Sequence, residues 1–204
     1  RPALAMTGNM TLSAWIFPTV DYDPDGAVIA GREGEYLLAR FPDGTLRYSI
    51  ANTSPGWGWV NTYHVIPRWV WSHVVLTYTG SAVFVYVNGQ AVHGLGASGP
   101  IGDAAPTHNE FRIGARQNMP SPMYFVGGID DVQLLNRAIT YDEVANLFLA
   151  GTAGLCGPRS LQLTMTPNPV RVTYGTTEQV ELVASLADNG IPIVGRAVRL
   201  IKQG

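Results

Sequence analysis

Residues Trp69 to Val92 constrain the fold more than any other stretch of the chain. Trp71 to Tyr78 and Ala82 to Val87 read as strands joined at Gly80, and Asn88-Gly89 is a type I′-compatible turn into Gln90 to His93. In the second strand Val83, Val85 and Val87 face one way, while Phe84 and Tyr86 face the other. Apolar residues on both faces predict burial on each side, as in a central strand of a packed sandwich.

The rest of the first 150 residues follows the same grammar. Thr11 to Trp15 alternates, with Leu12 and Ala14 on one face. A loop at Asp21 to Gly26 leads into an apolar strand, Ala27 to Ala30. Tyr36 to Phe41 and Thr45 to Ile50 flank Pro42-Asp43-Gly44, a hairpin signal. Phe111 to Ala115 and Gly128 to Leu135 supply further strands. With 23 Gly and 14 Pro among 204 residues, short strands and tight turns are favoured over helices. One helix stands out: Thr140-Tyr141-Asp142-Glu143 is a capping box, Ile139 and Val144 sit at the staple positions, and Gly151 is the terminator.

Residues 153–160 read as a linker. Beyond it Leu161, Leu163 and Met165 alternate, as do Val180, Leu182, Ala184 and Leu186; Asp188-Asn189-Gly190 is a turn and Ile191 to Ile201 is strand-like. Three or four strands make about half of a seven-stranded sandwich. A half-sandwich exposes an apolar face, so later sequence, a neighbouring domain or another subunit is expected to complete it. The start at Arg1 suits a processed chain or an excised fragment. A single cysteine, Cys156, excludes an internal disulfide framework, and its role is not specified. A net charge of −2 gives no reason to expect nucleic acid, and no apolar run approaches the ~20 residues that span a bilayer.

Five segments, in order, resemble the concanavalin A-like, laminin-G-like superfamily of bacterial surface proteins. They are Met10 to Ile16, Trp71-Ser72-His73-Val74, Val85-Tyr86-Val87-Asn88-Gly89, Phe111-Arg112-Ile113-Gly114, and Gly128 to Ala138 before the capped helix. The resemblance implies an all-β antiparallel sandwich of the jelly-roll kind over residues 1–152, with one short helix. Residues 161–204 resemble part of an invasin-type immunoglobulin-like domain, through Asp188-Asn189-Gly190, Val194-Gly195 and Val198. A secreted or cell-surface location goes with both.

Glycanases share this sandwich, and retaining ones set two carboxyls about 5–5.5 Å apart on one face. The close pair here, Glu33 and Glu35, has no Asp between its members and reads as a Gly-flanked, solvated turn. An enzyme is therefore not expected. Asp21, Asp23 and Asp25 copy the first half of a Ca²⁺ loop, but Arg32 stands where the bidentate Glu would be, leaving a loose calcium loop against a plain polar turn. In the family, the segment corresponding to Ile129-Asp130-Asp131 helps hold a structural Ca²⁺, which makes Asp130 and Asp131 the better metal candidates. His73 reads as a hydrogen-bonded core histidine, and Trp15, Trp69 and Trp71 as core or its margin.

Trp57 and Trp59, two apart in an extended segment, project to one side, with Asn61, Tyr63 and His64 alongside. Gly56 and Gly58 could splay both rings outward. Such a platform suits a pyranose. The expected function is thus a non-catalytic carbohydrate-recognition module of a multidomain protein. The alternative is a structural or adhesive module whose partner is a surface or extracellular protein, with Trp57 and Trp59 as interface anchors.

Overall fold

The computed structural model describes residues 4–21, 25–108, 110–117 and 122–151, and three later strands at 161–166, 183–188 and 191–192. The chain divides into two compact units, Arg1–Thr152 and Ala153–Gly204. In the first unit the strands are, in order, β1 (Met10–Pro18), β2 (Ala27–Arg32), β3 (Tyr36–Arg40), β4 (Thr45–Ile50), β5 (Val60–Val65), β6 (Ser72–Tyr78), β7 (Ala82–Val87), β8 (Gln90–Gly96), β9 (Phe111–Ile113) and β10 (Gly127–Leu135). The helix α1 (Tyr141–Ala150) follows. Two antiparallel five-stranded sheets result, with orders β10-β1-β6-β7-β8 and β5-β4-β3-β2-β9.

The core is the meeting of their inner faces. Met10, Leu12, Ala14 and Ile16 of β1, Val74, Leu76 and Tyr78 of β6, and Val83, Val85 and Val87 of β7 come from one sheet. Ile29, Tyr36, Leu38, Leu46, Tyr48 and Ile50 come from the other. Alternation therefore decides what lies outside. On the first sheet Thr11, Ser13, Trp15, His73 and Val75 face outward, and on the second Leu37, Ala39, Arg47 and Ser49 do.

The two outer faces are finished differently. On the first, α1 closes over Val75 and Tyr86 through Val144 and Ile139. The expected cap is present: the Thr140 hydroxyl accepts from the Glu143 amide at 3.3 Å, and Glu143 Oε2 accepts from the Thr140 amide at 2.9 Å. On the second, Val28, Leu37, Ala39, Phe41 and Met123 form a separate apolar cluster.

Most expected strands lie within a residue or two of their places. β2 and β8 run longer than expected, and the β9 strand stops at Ile113 because Gly114 turns to φ +76°. β5, read only as an extended segment, is an edge strand of the second sheet. Asn88 and Gly89 both have positive φ, 49° and 77°, as a type I′ turn requires. Phe84, expected to be buried, stands partly exposed where α1 does not reach.

The second unit contains β11 (Leu161–Thr166), β12 (Val183–Asp188) and β13 (Ile191–Pro192) in one antiparallel sheet. Asp188 pairs with Ile191 across the expected turn. Asn189, Gly190, Val194, Gly195 and Val198, Cys156 with the rest of 153–160, and the strand expected to run on to Ile201 beyond Pro192 lie outside the described residues.

Candidate functional site

The site begins with a register break. Between β1 and β10, Ser13 pairs with Gln133 and Trp15 with Asp130, so Asp131 and Val132 together oppose Ala14. This extra residue is a β-bulge. Unbroken alternation from Asp130 would turn Val132 outward and Gln133 inward. The bulge resets it: Ile129, Val132 and Leu134 pack on the core, while Asp130 and Gln133 share the outer side. Asp131 takes up the irregularity at φ +47°, and its amide donates to Asp130 Oδ1 at 2.8 Å.

Beside the bulge, Trp15, Trp71, Asp130 and Asp131 line a cavity of about 240 Å³. Trp15 is its closed side, 8% exposed and held between neighbours. Its ring lies 5.2 Å from His73 and stacks on Phe148 of α1 at 5.8 Å. Trp71 is the open side, 39% exposed and 5.5 Å from Phe17. Gly128 makes room for it: a Cβ there would lie 2.7 Å from Trp71 Cη2. The walls thus offer two apolar ring faces and two carboxylates that only accept hydrogen bonds.

His73 lies beneath the Trp15–Phe148 stack. It is buried as expected, but its Nδ1 has no hydrogen-bond partner, so the hydrogen-bonded reading is corrected. Burial without compensation lowers its pKa to about 4. Trp69, expected in the core or its margin, is 63% exposed at φ +63° and meets Phe17 edge-on at 6.1 Å.

The expected platform is built otherwise. Trp57 and Trp59 are half-buried against the outer apolar cluster of the second sheet, Trp59 edge-on to Phe41 at 5.2 Å. The Gly58 amide donates to Ser49 Oγ at 3.1 Å, which ties the segment down onto β4 instead of splaying it. Asn61 pairs with Arg47 on that face, and its Oδ1 accepts the Tyr63 amide at 2.7 Å. Tyr63 is 82% exposed at φ +59°, and the half-buried His64 donates its amide to Thr62 Oγ1 at 3.2 Å.

The acidic candidates are also redistributed. Glu33 and Glu35 are buried, not solvated: Glu33 is held by Arg116, whose Nε lies 2.8 Å away, and Glu35 by Arg32 at 3.0 Å. Burial pushes the Glu35 carboxyl up against the pull of Arg32. Asp21 accepts from buried Arg40 and lies 3.3 Å from Arg68, so its carboxylate is committed to cations of the protein. Asp25 is exposed, and Asp23 lies outside the described residues. Two adjacent aspartates, one already accepting an amide, fall short of the six to eight oxygens that Ca²⁺ takes. No group of three or more His, Cys, Asp or Glu suited to a metal occurs among the described residues.

Sequence reasoning missed Trp15 and Trp71 as site residues. The signal available was Gly127-Gly128 at the start of β10, where a ring can lie close to the backbone.

A family model described as the concanavalin A-like lectin/glucanases superfamily matches residues 2–145. Among solved structures, the chain is similar to a Ruminococcus gnavus sialidase carbohydrate-binding module, CBM40, bound to α2,3-sialyllactose. The identity is 12%, covering 72% of this chain and 85% of that one, with a TM-score of 0.59. A Bacteroides ovatus protein provisionally described as carbohydrate binding is 24% identical over 70% of this chain and 41% of its own length, with a TM-score of 0.57. Trypanosoma rangeli sialidase in complex with sialic acid is 25% identical over 70% of this chain but 23% of its own length, with a TM-score of 0.51. The chain thus spans less than half of two of these structures. The first two likenesses show the fold alone. No curated protein matches the chain significantly.

Proposed function

The chain belongs to the concanavalin A-like lectin/glucanase superfamily, and on that premise we propose that its first unit is a non-catalytic carbohydrate-binding module of a larger secreted or surface protein. What carries this reading is the cavity in which Trp15 and Trp71 stand beside Asp130 and Asp131. A sugar ring has apolar C–H faces and a rim of hydroxyls, and indole faces with carboxylate acceptors answer both. A volume of about 240 Å³ accommodates one monosaccharide-sized group. Relatives of this fold named for carbohydrate binding support the same class of ligand.

Stacking about 60–80 Å² of sugar on Trp71 contributes about 1.5–2 kcal/mol, so binding by one cavity is weak and gains from repeated sites. Titration calorimetry against neutral and amino-sugar oligosaccharides tests the reading. Saturable binding that Trp71→Ala weakens roughly tenfold or more supports it; a panel without any binder overturns it.

Trp57, Trp59, Asn61, Tyr63 and His64 belong to the same proposal only as a secondary contact surface. Calcium at Asp130 and Asp131 is a separate proposal, in which backbone or ligand oxygens would complete the sphere; EDTA should then lower Tm. For the second unit, the three-stranded antiparallel sheet supports a partial immunoglobulin-like domain that further strands complete. A longer chain that gains a separate cooperative melting transition supports this, and one that gains none contradicts it.

A further inference from the structure

The charge of the cavity narrows the ligand further, resting on the carbohydrate reading above. We propose that the sugar residue it holds carries a free ammonium group, as in an oligomer of glucosamine. Of the four described lining residues two are carboxylates, adjacent in sequence, and neither of the others is a cation. Six other described acids of the first unit are ion-paired: Asp21 with Arg40 and Arg68, Glu33 with Arg116, Glu35 with Arg32, Asp43 with Arg47, Glu110 with Arg112, and Glu143 with Arg137; Asp103 and Asp142 form no ion pair among the described residues, but they do not line the cavity. The seven side-chain ion pairs formed by the described residues include neither Asp130 nor Asp131.

Asp130 is exposed and Asp131 half-buried, so a neutral sugar against them would displace part of their water and supply only hydroxyl dipoles in return. An acidic sugar would add a third negative charge. An ammonium group compensates the carboxylates directly, and a cation is also attracted by the face of the exposed Trp71 ring. The bulge fixes this arrangement in the backbone. Asp131 is held in the left-handed region beside Asp130, so the two carboxylates stay at the cavity although they repel one another.

The experiment is calorimetric titration of the whole 204-residue chain with trimers of glucosamine, N-acetylglucosamine and glucose, with sialyllactose, and with lysine methyl ester. The glucosamine trimer should bind roughly tenfold tighter than its acetylated and neutral counterparts, and this advantage should shrink between about 25 mM and 500 mM salt. Sialyllactose should give no heat of binding. Asp130→Asn and Asp131→Asn, which keep side-chain shape, should erase the preference while their melting curves stay near that of the parent.

Equal or better binding of the neutral trimers overturns the charge inference and leaves the carbohydrate reading standing. A panel without any saccharide binder overturns both. Lysine methyl ester bound as tightly as the glucosamine trimer would assign the cavity to a lysine of a protein partner, which also contradicts the proposal.

Discussion

The two outer faces of the sandwich use the same residue type to opposite ends. On the β5-β4-β3-β2-β9 sheet, Trp57 and Trp59 lie down on Val28, Leu37, Ala39, Phe41 and Met123 and act as cover. On the β10-β1-β6-β7-β8 sheet, Trp15 and Trp71 leave a hollow shared with two aspartates. What lies beneath each pair decides the outcome. β3 points Leu37 and Ala39 outward, and bare apolar surface there would stay in water unless rings covered it. Beyond Trp15 the outer side of β10 carries exposed Asp130 and half-buried Gln133, polar groups that water reaches, and Phe148 is the residue of α1 that stacks on Trp15. Spacing of tryptophans therefore does not separate a platform from a plug; the character of the strand below does.

The helix-covered part of the cavity face should be the most acid-sensitive. His73 stays neutral in the folded protein down to about pH 4, whereas the unfolded chain takes up its proton near 6.5. The unfolded state then binds more protons between these values, so stability falls as pH drops from 6.5 towards 4, by roughly 3 kcal/mol in all. His73→Phe, which keeps a ring against both Trp15 and Phe148, should lose that part of the slope in melts across the window. An unchanged slope would place the acid sensitivity elsewhere.

On the opposite face, Trp59→Ala should lower stability by about 2 kcal/mol through uncovered apolar surface and lost contact with Phe41. Denaturant melts measure it, and a loss below about 0.5 kcal/mol would return Trp59 to the exposed surface. A smaller change is expected from Gly128→Ala, about 1 kcal/mol, because the new methyl displaces Trp71. Here ligand affinity should drop more than stability, since Trp71 is at the rim.

The smallest effect belongs to the α1 cap. Glu143, held to about pKa 2 first by Arg137 and then by the Thr140 amide, supports the folded state above its unfolded value near 4.5. That support fades as pH falls towards 2. Glu143→Gln should lower Tm slightly at neutral pH and flatten the acid limb, so that its melting profile converges on that of the parent towards pH 2; an equal loss at every pH would contradict the assignment.

How far the sequence announces these features varies with range. The Asn88-Gly89 turn and the Thr140–Glu143 box are local chemistry, and both appear at their expected residues. In β3 and the residue after it, Leu37, Ala39 and Phe41 make the outer face wholly apolar, a local pattern that already asks for cover. The bulge at Asp131 depends on the register of β10 against β1, more than a hundred residues away in sequence, and no local pattern encodes it. For the same reason Asp130 and Asp131 read as metal ligands in sequence, while the fold sets them beside two indoles. The ion pair that holds buried Glu33 likewise is long-range, since Arg116 arrives from a distant loop, whereas Glu35 pairs with Arg32 three residues before it.

A paired titration of Trp71→Ala and Trp59→Ala with the best saccharide binder, alongside their melts, decides which face of the sandwich binds. Trp71→Ala should weaken binding roughly tenfold while stability shifts by less than about 1 kcal/mol, and Trp59→Ala should do the reverse. Binding lost with Trp59→Ala and retained with Trp71→Ala would contradict this and move the site to the other face.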